Sequence, residues 1–147
     1  MARIEQAIVI PAPLEDVFAF ASDYRKWGDW FEGVSEFTPI TTITEGNGAR
    51  YAYKARLLGI SVGVETEIHD FRRNEGWKGV ATKGVAAQTF WTFRPEGDGT
   101  RFTYALEYDL PIPLLGPLVD SMFMKRQWKR IIAKSLENLN RQFIGGS

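Results

Sequence analysis

The stretch Ala49-Arg50-Tyr51-Ala52-Tyr53-Lys54-Ala55-Arg56 alternates with a period of two. Ala49, Tyr51, Tyr53 and Ala55 share one side, and Arg50, Lys54 and Arg56 share the other. Successive side chains of a strand point to opposite faces, so the pattern predicts a strand with one buried and one wet face. One-sided burial of this kind belongs to antiparallel sheets. Ile60 to Phe71 repeats the rule, with Val62, Val64, Thr66 and Ile68 opposed to Glu65, Glu67 and His69. Gly76 to Thr82 and Ala86 to Pro95 read as two more strands. In the second, Thr89, Trp91 and Phe93 alternate with Phe90, Thr92 and Arg94. Glu96-Gly97-Asp98-Gly99 is a hairpin signal. Thr100 to Leu110 follows, with Phe102, Tyr104, Leu106 and Tyr108 on one face. An antiparallel sheet is therefore expected from about Ala49 to Asp109, with Val34 onward already in the period of two.

Upstream, Arg3 to Ile10 is rich in Ile and Val and stops at Pro11, as a strand would. Leu14 to Ala21 reads as a short helix with Glu15 and Asp16 in its first turn, where carboxylates suit the helix dipole. Asp23 to Phe31 reads as a second short helix or turn. Its Tyr24, Trp27, Trp30 and Phe31 recur at spacings that gather rings on one side. Downstream, Pro111-Ile112-Pro113-Leu114-Leu115-Gly116-Pro117 ends the sheet. From about Pro117 to Phe143 the period becomes helical. Ser121, Met124, Trp128, Ile131, Ile132, Ser135, Leu136, Leu139 and Phe143 fall on one broad face. Lys125, Arg126, Lys129, Arg130 and Lys134 lie at its edges or beyond. At ~1.5 Å per residue this helix is roughly 40 Å long. It is the main element able to cover the apolar face of the sheet. The expected fold class is α+β: about seven antiparallel strands curved around a long C-terminal helix, with two short helices after the first strand.

The length of 147 residues suits one domain spanning the chain, and Ile144 to Ser147 reads as a frayed tail. Eighteen basic and eighteen acidic residues cancel, so no global field favours nucleic acid. There is no Cys, which excludes disulfides and thiolate chemistry. His69 is the only histidine, which excludes the usual His and Cys zinc site. The residues after Met1 lack a signal-peptide apolar run, and no stretch is long enough to span a bilayer, so a cytoplasmic location is the default expectation.

The strand phase places His69 beside Glu65 and Glu67 on the wet face, away from any chamber. Tyr51, Tyr53, Tyr104 and Tyr108 are expected to point inward, either as core rings or as hydroxyls in an apolar site. Thr66, Thr89, Ser121 and Ser135 offer further hydroxyls, none with a base visibly placed to activate it. Glu15 with Asp16 fits helix-start charge, Glu65 with Glu67 fits a solvated face, and Asp109 falls where a chamber mouth could be.

Ile8-Val9-Ile10-Pro11-Ala12-Pro13-Leu14-Glu15-Asp16-Val17-Phe18 opens this order of elements. Trp27 with Trp30, Gly97-Asp98-Gly99-Thr100-Arg101-Phe102-Thr103-Tyr104 and the Pro111–Pro117 loop continue it. In these features the chain resembles the helix-grip superfamily of START lipid-transfer domains, birch-pollen-allergen-like proteins and aromatic polyketide cyclases (SRPBCC). Within it, the resemblance is closest to the bacterial polyketide cyclase/dehydrase and lipid-transport-like group. These marks imply a fold rather than a reaction. The resemblance implies an internal cavity for an apolar ligand between sheet and C-terminal helix. It also implies an entrance formed by the helix start and its neighbouring loops, which gives Leu114, Leu115, Met122 and Phe123 as its residues.

Three functions follow as expectations. The first is binding of a small hydrophobic ligand (lipid, isoprenoid, aromatic or polyketide-like) as a carrier or sensor, with no cofactor, metal or nucleic acid. Its expected lining is Phe18, Tyr24, Trp27, Trp30, Tyr51, Tyr53, Val64, Thr66, Trp91, Tyr104, Met124, Trp128 and Ile131. The second is a cofactor-free cyclase or dehydratase using the same chamber. The third is a filled core whose role is protein contact, with a homodimer through the Leu114–Phe123 region. The basic residues beside Leu114, Leu115, Val119, Met122 and Phe123 also suit transient contact with a membrane surface.

Overall fold

A computed structural model describes residues 2–57, 60–83, 86–108 and 121–144. The element order is β1 (Ala2–Ile10), α1 (Leu14–Ala21), a 3-10 turn (Tyr24–Lys26), α2 (Trp27–Trp30), then β2 (Val34–Pro39), β3 (Arg50–Leu57), β4 (Ile60–Arg72), β5 (Gly76–Lys83), β6 (Ala87–Glu96) and β7 (Gly99–Tyr108), and last α3 (Ser121–Ile144). The segment expected as one short helix over 23–31 divides into a 3-10 turn and α2 because Asp23 caps it locally. The Asp23 carboxylate accepts from the backbone N–H of Arg25 and pairs with the Arg25 guanidinium. The expected helix start at Pro117, the proline loop before it and Asp109 lie outside the described residues.

All seven strands form one antiparallel sheet in the order β1-β7-β6-β5-β4-β3-β2. The sheet curls around α3. Three register shifts among the described residues adjust its pleat. In β2 the register against β3 shifts between Ser35 and Thr38. Between β4 and β5, Glu65 faces Lys83 while Thr66 faces Ala81, so the extra residue is Thr82. The Thr82 hydroxyl accepts from Arg50 and donates to the Glu65 carbonyl, which holds the bulge. This extra residue sits in β5 and leaves the alternation of β4 intact as far as His69. The register shifts again between His69 and Arg72, where Asp70 has a φ of 53° and the extra residue is in β4.

The outer face is charged and solvated. Arg50 lies 3.5 Å from Glu65 and 3.7 Å from Glu67, and the His69 Nε2 lies 2.8 Å from Glu67. His69 is exposed there, on the face its phase predicts. The inner face carries the core: Ile4, Ile10, Tyr51, Ile68, Trp77, Trp91, Phe93, Phe102, Tyr104, Leu106 and Tyr108 are all buried. α3 meets it with Ile132, Leu136 and Leu139. Three hydrogen bonds fix α3 in place. Gln6 donates to the Lys129 carbonyl, the Glu32 backbone N–H donates to the Ser135 hydroxyl, and Asn138 donates to the Trp30 carbonyl. The first joins the helix to β1, and the other two join it to the α2 region.

Candidate functional site

The concave face is packed unevenly. Toward α1 and α2 it is filled with rings. Phe18 meets Phe93 at 5.1 Å and Trp77 at 5.7 Å between centroids, Trp77 stacks on Trp91 at 4.4 Å, and Phe93 stacks on Phe102 at 4.6 Å. Edge-to-face and offset pairs at these spacings are favourable beyond the area they bury. Farther along the same face the inward positions are Ala55, Val64, Gly79, Ala81, Ala86 and Ala87, which are too small to reach α3. A cavity of about 110 Å³ remains there, bounded across from the sheet by Trp128, Ile131 and Ile132 of α3. Among the described residues Glu32 is the one charged residue on its wall.

Nine of the residues expected to line a chamber do so: Trp27, Tyr51, Tyr53, Val64, Thr66, Trp91, Tyr104, Trp128 and Ile131. Phe18, Tyr24 and Trp30 do not lie on its wall. Phe18 is taken up by the ring cluster with Phe71, Trp77 and Phe93. Tyr24 lies against the Tyr51 ring at 5.2 Å. Trp30 is buried against Phe31, Trp91 and Phe102. Amphipathic spacing shows that a ring is buried, but not which side of the core receives it. Leu114 and Leu115 lie outside the described residues, and so do the side chains of Met122, Phe123 and Met124.

Other wall residues escaped the sequence reading. Phe37 and Val34 both line the cavity although strict alternation would separate them; the register shift in β2 brings both inward. Phe31 reaches the wall by packing over Trp91 and Tyr104. Trp77, Gly79 and Ala81 follow a legible period of two in β5, but Gly and Ala give almost no hydrophobic signal.

Polar groups on the wall are few, and two pairs of them satisfy each other. The Tyr53 and Thr66 hydroxyls lie 3.1 Å apart, and the Trp91 indole N–H donates to the Thr89 hydroxyl. Burial holds the Tyr53 hydroxyl above the usual phenol pKa, opposed by its hydrogen bond with Thr66. Burial raises Tyr104 as well, helped by the proximity of Tyr53. Tyr108 is raised by burial as well. Tyr51 is pushed up to about 12, first by burial and then by the nearby Glu45 charge. At neutral pH these tyrosines are uncharged donors, not bases. Among the described residues no group of three or more His, Asp or Glu could hold a metal ion.

A second hollow of about 440 Å³ lies beside α1 and the β2–β3 and β4–β5 turns. It carries Glu15, Ser22, Glu45, Arg73 and Asn74 next to Phe18 and Phe71. Trp27, Tyr51, Ile68 and Trp77 line both hollows and form the partition between them. The partition is anchored at two points. The Tyr51 hydroxyl donates to the Thr44 carbonyl, and the Trp27 indole donates to the Ala21 carbonyl.

The sequence matches the family model for polyketide cyclase / dehydrase and lipid transport over residues 1–143. The chain belongs to that family. Among solved structures, the protein TTHA0849 from Thermus thermophilus is 23% identical, with a TM-score of 0.84 over 99% of both chains. A START superfamily protein from Mycobacterium smegmatis is 16% identical, with a TM-score of 0.77 over 95% of this chain and 97% of its own. Ara h 8.0201 is 9% identical, with a TM-score of 0.73 over 99% of both chains. These likenesses show the fold alone, a curled antiparallel sheet gripping a C-terminal helix. No curated protein matches the sequence. Among the described residues no helix is long and apolar enough to cross a membrane.

Proposed function

We propose that this chain binds a small hydrophobic molecule, such as a lipid fragment, isoprenoid, aromatic or polyketide-like compound, in the cavity between the sheet and α3, as a carrier or sensor. The observation that carries the reading is the unfilled, almost uncharged space where small side chains replace rings along the concave face. Burying apolar ligand surface contributes roughly 25 cal/mol per Å² before ordering costs, so such a space can hold a ligand without charge pairing. An engineered apolar cavity of about 150 Å³ takes up benzene, which sets the scale of what fits without rearrangement.

The test is native mass spectrometry of the purified full chain, combined with NMR titration of α-methylstyrene as a neutral apolar probe. A one-to-one adduct, removed by organic extraction, or saturable probe binding that shifts Val64 and Ile132 supports the proposal. An adduct-free mass together with no saturable shift overturns it.

A cyclase or dehydratase acting in the same chamber is the second reading, favoured by the Tyr53–Thr66 hydroxyl pair. Such an enzyme needs polar groups converging on one reacting atom. Loss of turnover of a polyketide-like substrate in Tyr53→Phe, with binding retained, would support it.

A further inference from the structure

Three buried donors on the cavity wall have no hydrogen-bond partner among the described residues: the Tyr108 hydroxyl and the indole N–H groups of Trp77 and Trp128. Tyr108 and Trp128 come from opposite sides of the chamber. Tyr108 closes β7, where its neighbours across the sheet are Ala2 on β1 and Ala87 on β6. Trp128 projects from α3, one turn before Ile132. Their ring centroids lie 5.9 Å apart, and both residues line the same cavity. The Trp30 indole also lacks a partner but does not lie on the cavity wall. The Trp77 indole belongs to the ring-filled end, stacked on Phe71 and Trp91, so Tyr108 and Trp128 are the pair that face each other across the chamber. Leaving a buried donor unpaired is unfavourable by about 1–3 kcal/mol. Two such donors beside one hollow describe a site awaiting an acceptor.

The chemistry of that acceptor is constrained. An indole N–H can only donate, so the ligand must supply lone pairs. A carbonyl oxygen has two and can take both donors. A carboxylate or phosphate would arrive with a charge that no Lys or Arg on the described wall neutralises, and burying it unpaired is strongly unfavourable. Tyr108 stays protonated because burial holds its pKa up, so it remains a donor. We infer that the cavity takes a neutral carbonyl compound, a ketone, ester or amide on an apolar body, with its oxygen held between Tyr108 and Trp128. This deepens the proposed function and rests on it.

The test compares acetophenone with α-methylstyrene, which has the same shape but a methylene in place of the carbonyl oxygen. Both are titrated into the full chain and followed by 1H–15N NMR, with the Trp128 indole resonance assigned by its loss in Trp128→Phe. The expected result is a downfield shift of that indole proton with acetophenone and not with α-methylstyrene. Tyr108→Phe, which removes only a hydroxyl, should weaken acetophenone roughly tenfold and leave α-methylstyrene within about twofold. If α-methylstyrene binds, but acetophenone leaves the indole proton unmoved or binds equally well to Tyr108→Phe, the carbonyl assignment is overturned and the cavity reading stands. The carbonyl assignment fails in the same way if an ordered water holds the two donors and acetophenone does not displace it. If neither probe binds, the cavity reading itself fails.

Discussion

The two ends of the concave face share one sheet and one covering helix, yet they are built to opposite ends. In the ring-filled end, Phe18, Trp30, Trp77, Phe93 and Phe102 meet edge to face or stacked. In the hollow end, Ala55, Gly79, Ala81 and Ala87 leave α3 standing off the sheet. The difference teaches where stability and binding reside. Dispersion and apolar burial concentrate where atoms touch on all sides. A hollow forgoes those contacts, and the filled end must make up for them. Truncating the first end should therefore threaten the fold, while enlarging side chains at the other should threaten the ligand.

Trp30→Ala probes the filled end most severely. It should lower unfolding stability by about 3–5 kcal/mol in chemical denaturation, because the cavity it leaves is walled by rings that cannot collapse. Ala81→Leu probes the hollow end. Its extra carbons enter existing space, so the change in stability should stay within about 1 kcal/mol. Probe affinity should fall at least tenfold in the same NMR titration. A large stability loss in Ala81→Leu, with binding kept, would erase the distinction between the two ends.

The partition between the hollows can be read by pH. A tyrosine in the unfolded chain loses its proton near 10, whereas folded Tyr51 holds it to about 12. The unfolded state then binds fewer protons than the folded state across that interval. The stabilisation is complete below pH 10 and is lost as pH rises toward 12. Thermal unfolding midpoints measured from pH 9 to 12 should fall, and Tyr51→Phe should fall less steeply. The smallest effect belongs outside both ends. His69→Ala removes an exposed side-chain contact with Glu67 and should change stability by no more than about 0.5 kcal/mol, with probe binding unaltered.

How much of this was legible in the sequence follows from the same contrast. Alternation in 49–56 and 60–69 showed which faces turn inward, and it placed His69 outside, because β4 keeps its phase as far as that residue and shifts register only beyond it. Apolar periodicity also found α3 and its buried face. It could not divide the inward residues between a packed cluster and a cavity wall, since both are equally dry. Phe18 and Trp30 were therefore expected at the chamber, while Gly79 and Ala81, whose smallness makes the space, carried no signal. Phe37 was hidden by a register shift that no local pattern announces. The unpaired state of Tyr108 and Trp128 depends on what surrounds each atom in space, which no residue spacing records.

The sheet order has a consequence for how the chain is made. β1 has one neighbour, β7, and the two pair from Ala2 with Tyr108 to Ile10 with Thr100. On a ribosome, the first strand to emerge must wait unpaired until the seventh has been synthesised, and α3, which docks on β1, comes later still. Contacts of such long sequence separation slow folding and leave strand edges exposed in the meantime. The chamber is thus absent until α3 has been translated, and Arg3 and Glu5 on the waiting strand supply the charges that discourage edge-to-edge association.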